Sequence, residues 1–159
     1  MSWDAYVTGQ IINSCCVNHQ WKNMCESGAL LDVNTAKAWT SGFDMEKIRV
    51  KDGEGKTIEV DQAANLADAM KQPNGNTSRP GGIYLNKQKY ITVSKTDTSL
   101  YLKKNGGGAT VCKSGKALVV GTWAQAKKGT KDGKEKAQNT GDCTTIVEEL
   151  ANYLRSIGY

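Results

Sequence analysis

Residues 82–123 read G-I-Y-L-N-K-Q-K-Y-I-T-V-S-K-T-D-T-S-L-Y-L-K-K-N-G-G-G-A-T-V-C-K-S-G-K-A-L-V-V-G-T-W. Apolar and polar residues alternate here with the period of a sheet, in runs at 82–86, 89–94, 99–103, 109–113 and 117–123. The links are Asn86-Lys87-Gln88, Lys95-Thr96-Asp97-Thr98, Asn105-Gly106-Gly107-Gly108 and Ser114-Gly115. Each is too short for a crossover helix, so the runs predict an antiparallel meander.

Working back from the meander, Pro73-Asn74-Gly75-Asn76 ends an Ala-rich helix that starts after Asp61. Its apolar face is Ala63, Leu66, Ala67 and Met70. Residues 48–51 and 56–60 flank Asp52-Gly53-Glu54-Gly55 and predict a small hairpin. A further hairpin is expected from strands 27–32 and 36–41 around Val33-Asn34-Thr35, the second strand carrying Trp39. Ser2 is placed to cap a first helix running to about Asn13, with Trp3, Val7 and Ile11 on one side and Tyr6 beside Trp3.

Working forward, 124–141 is polar and Lys-rich and predicts a long mobile loop. The last helix follows, with Asp142 as its cap. Cys143, Ile146, Val147, Leu150, Leu154 and Ile157 form its apolar stripe, Tyr153 lies at the stripe's edge, and Gly158 suits its exit. The fold class predicted is α+β: a central antiparallel sheet of about six or seven strands. The first and last helices pack together on one face and the short helix lies on the other.

The chain's 159 residues suit a single domain spanning 1–159. No run of ~18 apolar residues is present, and Met1 to Tyr6 lacks the pattern of a secretory leader. A cytoplasmic protein is therefore expected. Its five cysteines would be reduced thiols, and the Asn76-Thr77-Ser78 sequon would be unused. Cys15, Cys16 and His19 lack a second pair at zinc spacing. Asp52 to Thr57 lacks the first glycine and the helix of a P-loop. His19 is the only histidine and has no nucleophile motif around it. No catalytic, metal or cofactor constellation emerges, so a binding module rather than an enzyme is expected.

Aromatic placement is the sharper signal. With the terminal helices side by side, Trp3, Tyr6, Tyr153 and Tyr159 come from one edge, and Trp39 could floor the space between them. The alternative is that Trp3 and Trp39 are core residues, a reading that weighs evenly with the groove for Trp39 alone. A shallow aromatic groove suits a polyproline II segment, which is already extended and lacks backbone donors that the groove must then supply. The net charge of +5 favours an acidic protein, phosphoinositide headgroups or nucleic acid. Lysines and tyrosines do not interleave as a stacking platform for nucleic acid would require.

Several stretches together resemble the profilin family from end to end. They are the Trp3-Asp4-Ala5-Tyr6 opening, the segment from Ser27 to Trp39, Gly81-Gly82-Ile83-Tyr84-Leu85, the hairpin from Asn105 to Val120, and Gly141-Asp142-Cys143 with Glu148-Glu149-Leu150 and Tyr153-Leu154. The resemblance implies an adaptor for monomeric actin that regulates polymerisation and nucleotide exchange. It also implies binding of proline-rich proteins such as formins and of phosphatidylinositol bisphosphate, as a monomer associated with the cytoskeleton. Carried over by position, it puts Trp3, Tyr6, Trp39, Tyr153, Leu154 and Tyr159 in a polyproline groove. It puts Lys103, Lys104, Lys113, Gly141, Thr144, Val147, Glu148 and Glu149 on an actin face.

Three stretches exceed the family minimum: 14–26, 43–60 and 124–141. The third holds Lys127, Lys128, Lys131, Lys134 and Lys136 against Asp132 and Glu135. It reads as a solvated loop, or as a contact to actin's acidic surface or to lipid headgroups. The alternative function is a phosphoinositide or anionic-surface module on the same fold, using those five lysines.

Overall fold

A computed structural model of the chain describes residues 3–12 and 21–159. Helix α1 (Asp4–Tyr6) runs directly into a π-helix, Val7–Ile12. The expected first helix is therefore present but wound wider after its first turn. Its proposed cap Ser2, its end Asn13, and the metal-site candidates Cys15, Cys16 and His19 lie outside the described residues.

The predicted meander is β4 (Ile83–Leu85), β5 (Gln88–Lys95), β6 (Ser99–Lys104), β7 (Gly107–Lys113) and β8 (Ala117–Ala124). With β1 (Ser27–Asp32) it forms a six-stranded sheet in the order β1-β8-β7-β6-β5-β4. Neighbouring strands are antiparallel throughout. β2 (Lys47–Lys51) and β3 (Thr57–Asp61) form the expected small hairpin. Helix α2 (Gln62–Lys71) starts as expected, because Asp61 accepts a hydrogen bond from the Ala64 N–H at 3.0 Å.

Three expectations are corrected. First, 36–41 is not a strand. It makes a single bridge, Leu31 to Ala38, and Trp39 donates its N–H to the Leu30 carbonyl. The Asp32 carboxylate wraps the N–H groups of Asn34 and Thr35, and Ala36 sits at φ +57°, so the segment leaves the edge of β1 after a few residues.

Second, the supposed mobile loop is an ordered hairpin, β9 (Lys128–Lys131) and β10 (Lys134–Ala137). Asp132 and Gly133 have φ of +51° and +79°, as a tight two-residue hairpin turn requires. Its Lys, Gly and Thr residues offer no alternating apolar face, so the strand pattern was invisible and only Asp-Gly marked it.

Third, Asn139 caps the last helix, α3 (Thr140–Ser156), and Asp142 does not. Asn139 Oδ1 accepts from the Asp142 N–H, and Asn139 Nδ2 donates to Asp142 Oδ2. This is a reciprocal clamp, with Asp142 placed favourably in the first turn. Ile157 lies past the helix and is exposed.

The sheet has a core on each face. Leu31, Leu66, Leu85, Leu100, Leu102, Val111, Leu118 and Val120 fill the α2 side. Ile11, Met24, Leu30, Val119, Ile146, Val147, Leu150 and Leu154 fill the side shared by α3 and the N-terminal helical segment. The layout expected from the sequence is thus observed. Two buried amides secure α2: Gln62 bonds Asp44, the Glu46 carbonyl and the Lys87 N–H, while Asn65 bonds the carbonyls of Pro80 and Gly82 and accepts from Arg79. The described cysteines, Cys25, Cys112 and Cys143, are free and buried. Cys25 and Cys143 meet sulfur to sulfur at 3.0 Å.

α3 comes this close to β8 because Gly121 has no side chain. A Cβ there would stand 2.6 Å from Val147 Cγ2 and 3.1 Å from Cys143 Sγ. Gly121→Ala is expected to cost about 1–3 kcal/mol, since Val147 is stiff and fully buried. Urea unfolding measures this, and an unchanged midpoint would contradict it.

Candidate functional site

The structure brings together the aromatic residues singled out from the sequence. Trp3 is the hub: its ring centroid lies 5.6 Å from Tyr6, 5.2 Å from Trp39 and 5.0 Å from Tyr159, the last edge-on. Tyr6 in turn lies 6.3 Å from Tyr153. Tyr153 and Tyr159 remain 50% and 37% exposed, so the cluster has an open side. Leu154 is fully buried beneath it and offers no surface of its own. Partial burial, then the nearby Tyr153 phenol, raises the Tyr6 pKa, so its O–H stays a donor at neutral pH.

Three tethers fix the rings. The Asp4 carboxylate accepts from the Ser41 N–H at 2.8 Å and from its hydroxyl at 2.9 Å, holding the Trp39 segment against α1. The Tyr159 main-chain oxygen accepts from the Lys116 N–H and from Ser114 Oγ. The Lys116 ammonium lies 5.1 Å from the Tyr159 ring centroid. The result is a run of rings with indole and phenol donors, half open to solvent.

A second surface lies where β5 and β6 meet the start of α3. A cavity of about 490 Å³ is lined by Val93, Tyr101, Lys103, Trp123, Gly141 and Thr144, among others. The β5–β6 register slips between Thr92 and Ser94, leaving Val93 as an extra residue that projects outward. Val93 is 61% exposed and Ile91 is 59% exposed, an apolar pair on an otherwise polar strand. Trp123 Nε1 is buried there without a hydrogen-bond partner among the described residues.

Of the sequence-derived actin-face set, Lys103, Gly141 and Thr144 line this cavity. Lys104, next along β6, faces the other side of the sheet, its ammonium 5.6 Å from the ring centroid of Tyr90 in the α2-side core. Thr144 is held by Thr110 at 2.7 Å, and Glu148 accepts from Ser99 and Tyr101. Glu149 is half-buried on the same helix. Two further members are displaced as well. Val147 is fully buried, facing Gly121. Lys113 sits at the opposite end of β7 from Gly108, the partner of Lys103, with its carbonyl bonded to Arg155. Ile91, Val93, Tyr101 and Trp123 were missed. Their signal was outward-facing apolar residues on an alternating strand, visible only once the bulge and the register are known.

The lysine cluster divides. Lys136 is engaged, 2.9 Å from Asp142 and 4.3 Å from the Trp21 ring centroid. Lys127, Lys128 and Lys134 are exposed and Lys131 half-buried, and none forms an ion pair among the described residues. No helix among the described residues is long and apolar enough to cross a membrane.

The chain is similar to known proteins over its full length. Profilin-A of Physarum polycephalum is 30% identical over 159 residues, covering all of both chains. Profilin of Tetrahymena pyriformis is 33% identical over 162 residues, covering 99% of this chain and 98% of its own length. Among solved structures, Acanthamoeba castellanii profilin IB aligns with a TM-score of 0.66 at 24% identity, over 99% of this chain and all of that one. Mouse profilin IIa, solved in complex with a double repeat from the FH1 domain of mDia1, aligns with a TM-score of 0.51 at 18% identity over the full length of both. The family model for profilin matches residues 1–159, and the chain belongs to the profilin family.

Proposed function

We propose that this chain is a non-catalytic adaptor for monomeric actin that regulates filament assembly and nucleotide exchange and recruits proline-rich, formin-type ligands. The reading places it in the cytoplasm, at the cytoskeleton. The observation that carries it is the ring cluster around Trp3, at 5.0–5.6 Å from three other rings and open on its Tyr153 side. Prolines stack on such flat faces, and the indole and phenol donors meet their carbonyls. The FH1 complex of the mouse relative supports the same ligand class. For actin, the support is family membership together with the exposed Ile91–Val93 patch beside Lys103, Gly141 and Thr144. A second reading, phosphatidylinositol bisphosphate binding, draws on the net charge of +5 and the exposed lysines of the β9–β10 segment. Sedimentation with vesicles containing that lipid tests it, and failure to co-sediment at low salt would remove it.

Trp3→Ala is expected to weaken binding to polyproline resin by about 30-fold or more, as loss of a central aromatic anchor does, while sparing most actin affinity. Normal retention of that variant would rule out the groove. Val93→Asp is expected to weaken binding of monomeric actin about tenfold or more and to leave polyproline binding unchanged. Absence of actin binding by the unmodified chain at tens of micromolar would overturn the reading as a whole.

A further inference from the structure

We infer that the β9–β10 hairpin is a preformed basic arm that extends the actin-facing surface, its tip lysines Lys131 and Lys134 clamping a carboxylate site on the bound protein. The inference rests on the actin reading above.

Charge is the first ground. Five lysines against Asp132 and Glu135 leave this segment +3 of the chain's +5. Placement of the charge is more telling. Lys131 and Lys134 are directly opposite one another across the ladder, flanking the Asp132-Gly133 turn. Like charges opposite each other on neighbouring strands, roughly 5 Å apart at Cα, destabilise a hairpin. Neither lysine has a carboxylate partner among the described residues. An acidic group seated between the two ammonium ions would turn that repulsion into a paired contact.

The arm is also built to hold its aim. Lys22 and Thr130 exchange two backbone hydrogen bonds, at 2.8 and 2.9 Å. Gly129 packs on Met24 so closely that a Cβ would lie 1.9 Å from its sulfur. Lys136 is clamped between Trp21 and Asp142. The Gln138 side chain bridges the Asn23 carbonyl and the Ala124 N–H. Little ordering entropy then remains to be lost on binding. The arm is continuous with the candidate actin face, since β10 leads through Asn139 into Thr140 and Gly141, which line the cavity.

A protein partner fits better than a bilayer. Lys136 is already engaged, and Asp132 and Glu135 flank the tip. A uniformly anionic surface would repel those carboxylates, whereas a discrete acidic site can sit between the lysines alone.

The test measures affinity for monomeric actin at low and high salt, with polyproline binding and phosphatidylinositol bisphosphate vesicles as separate arms. Lys131→Glu/Lys134→Glu is expected to weaken actin binding about tenfold or more at low salt, mostly through slower association, with the difference shrinking at high salt. Lys131→Ala/Lys134→Ala should weaken it less while leaving the melting temperature unchanged or raised, because the repulsion is gone. A merely structural role predicts the opposite stability change. The proposal fails if both variants bind actin normally while Val93→Asp does not. It fails equally if the variants lose only vesicle binding, which would make the hairpin a lipid element. Absence of actin binding by the unmodified chain would overturn instead the reading on which the proposal rests.

Discussion

The structure depends on how closely α3 lies on β7 and β8. Gly121 gives the helix bare backbone to rest on, and Val147 and Cys143 fill the space that a side chain would have taken. The Thr110–Thr144 bond adds a polar contact along the same seam. Once the helix is seated there, its two ends are committed. The first turn joins the bulged β5–β6 edge to frame one cavity. The last turn carries Tyr153 and, through Gly158, Tyr159 to the rings on Trp3. A helix of this length spans about 25 Å, so the two surfaces are well separated. They sit at opposite ends of one helix, and that helix fixes the distance between them.

Much of this was legible beforehand. The meander was readable because Leu100 and Leu102, Ala109 and Val111, and Leu118 and Val120 keep to a two-residue period and their links are short. Helix α2 was readable because Asp61 and Pro73 bracket it. The aromatic cluster could be assembled from Trp3, Tyr6, Trp39, Tyr153 and Tyr159, given only that the end helices share a sheet face. Cap and loop chemistry was harder. Asn139 and Asp142 both qualify as N-caps, and the choice follows from which residue can return a bond to the other. The segment 36–41 had a strand's composition, but the Asp32 side chain satisfies the N–H groups of the turn and sends it elsewhere.

Two features were hidden for a more basic reason. A bulge is a mismatch between two strands, so no single-strand pattern reports it, and Val93 looked like an ordinary alternating residue. The β9–β10 hairpin has almost no apolar face of its own. It is held by Met24, Trp21 and the Lys22–Thr130 bridge, contacts from a segment more than a hundred positions away in the chain. Local sequence carries no trace of such support beyond one Asp-Gly pair.

The sulfur contact between Cys25 and Cys143 lies inside this same seam. Burial, then the bond to Cys25, raises the Cys143 pKa well above that of a free thiol, so almost no thiolate exists there at neutral pH. An alkylating reagent can reach it only when α3 lifts off β8. The rate at which the Cys143 peptide is labelled therefore clocks the opening of the helix–sheet interface itself. The fold carries its own reporter, at the joint through which both surfaces are held in register.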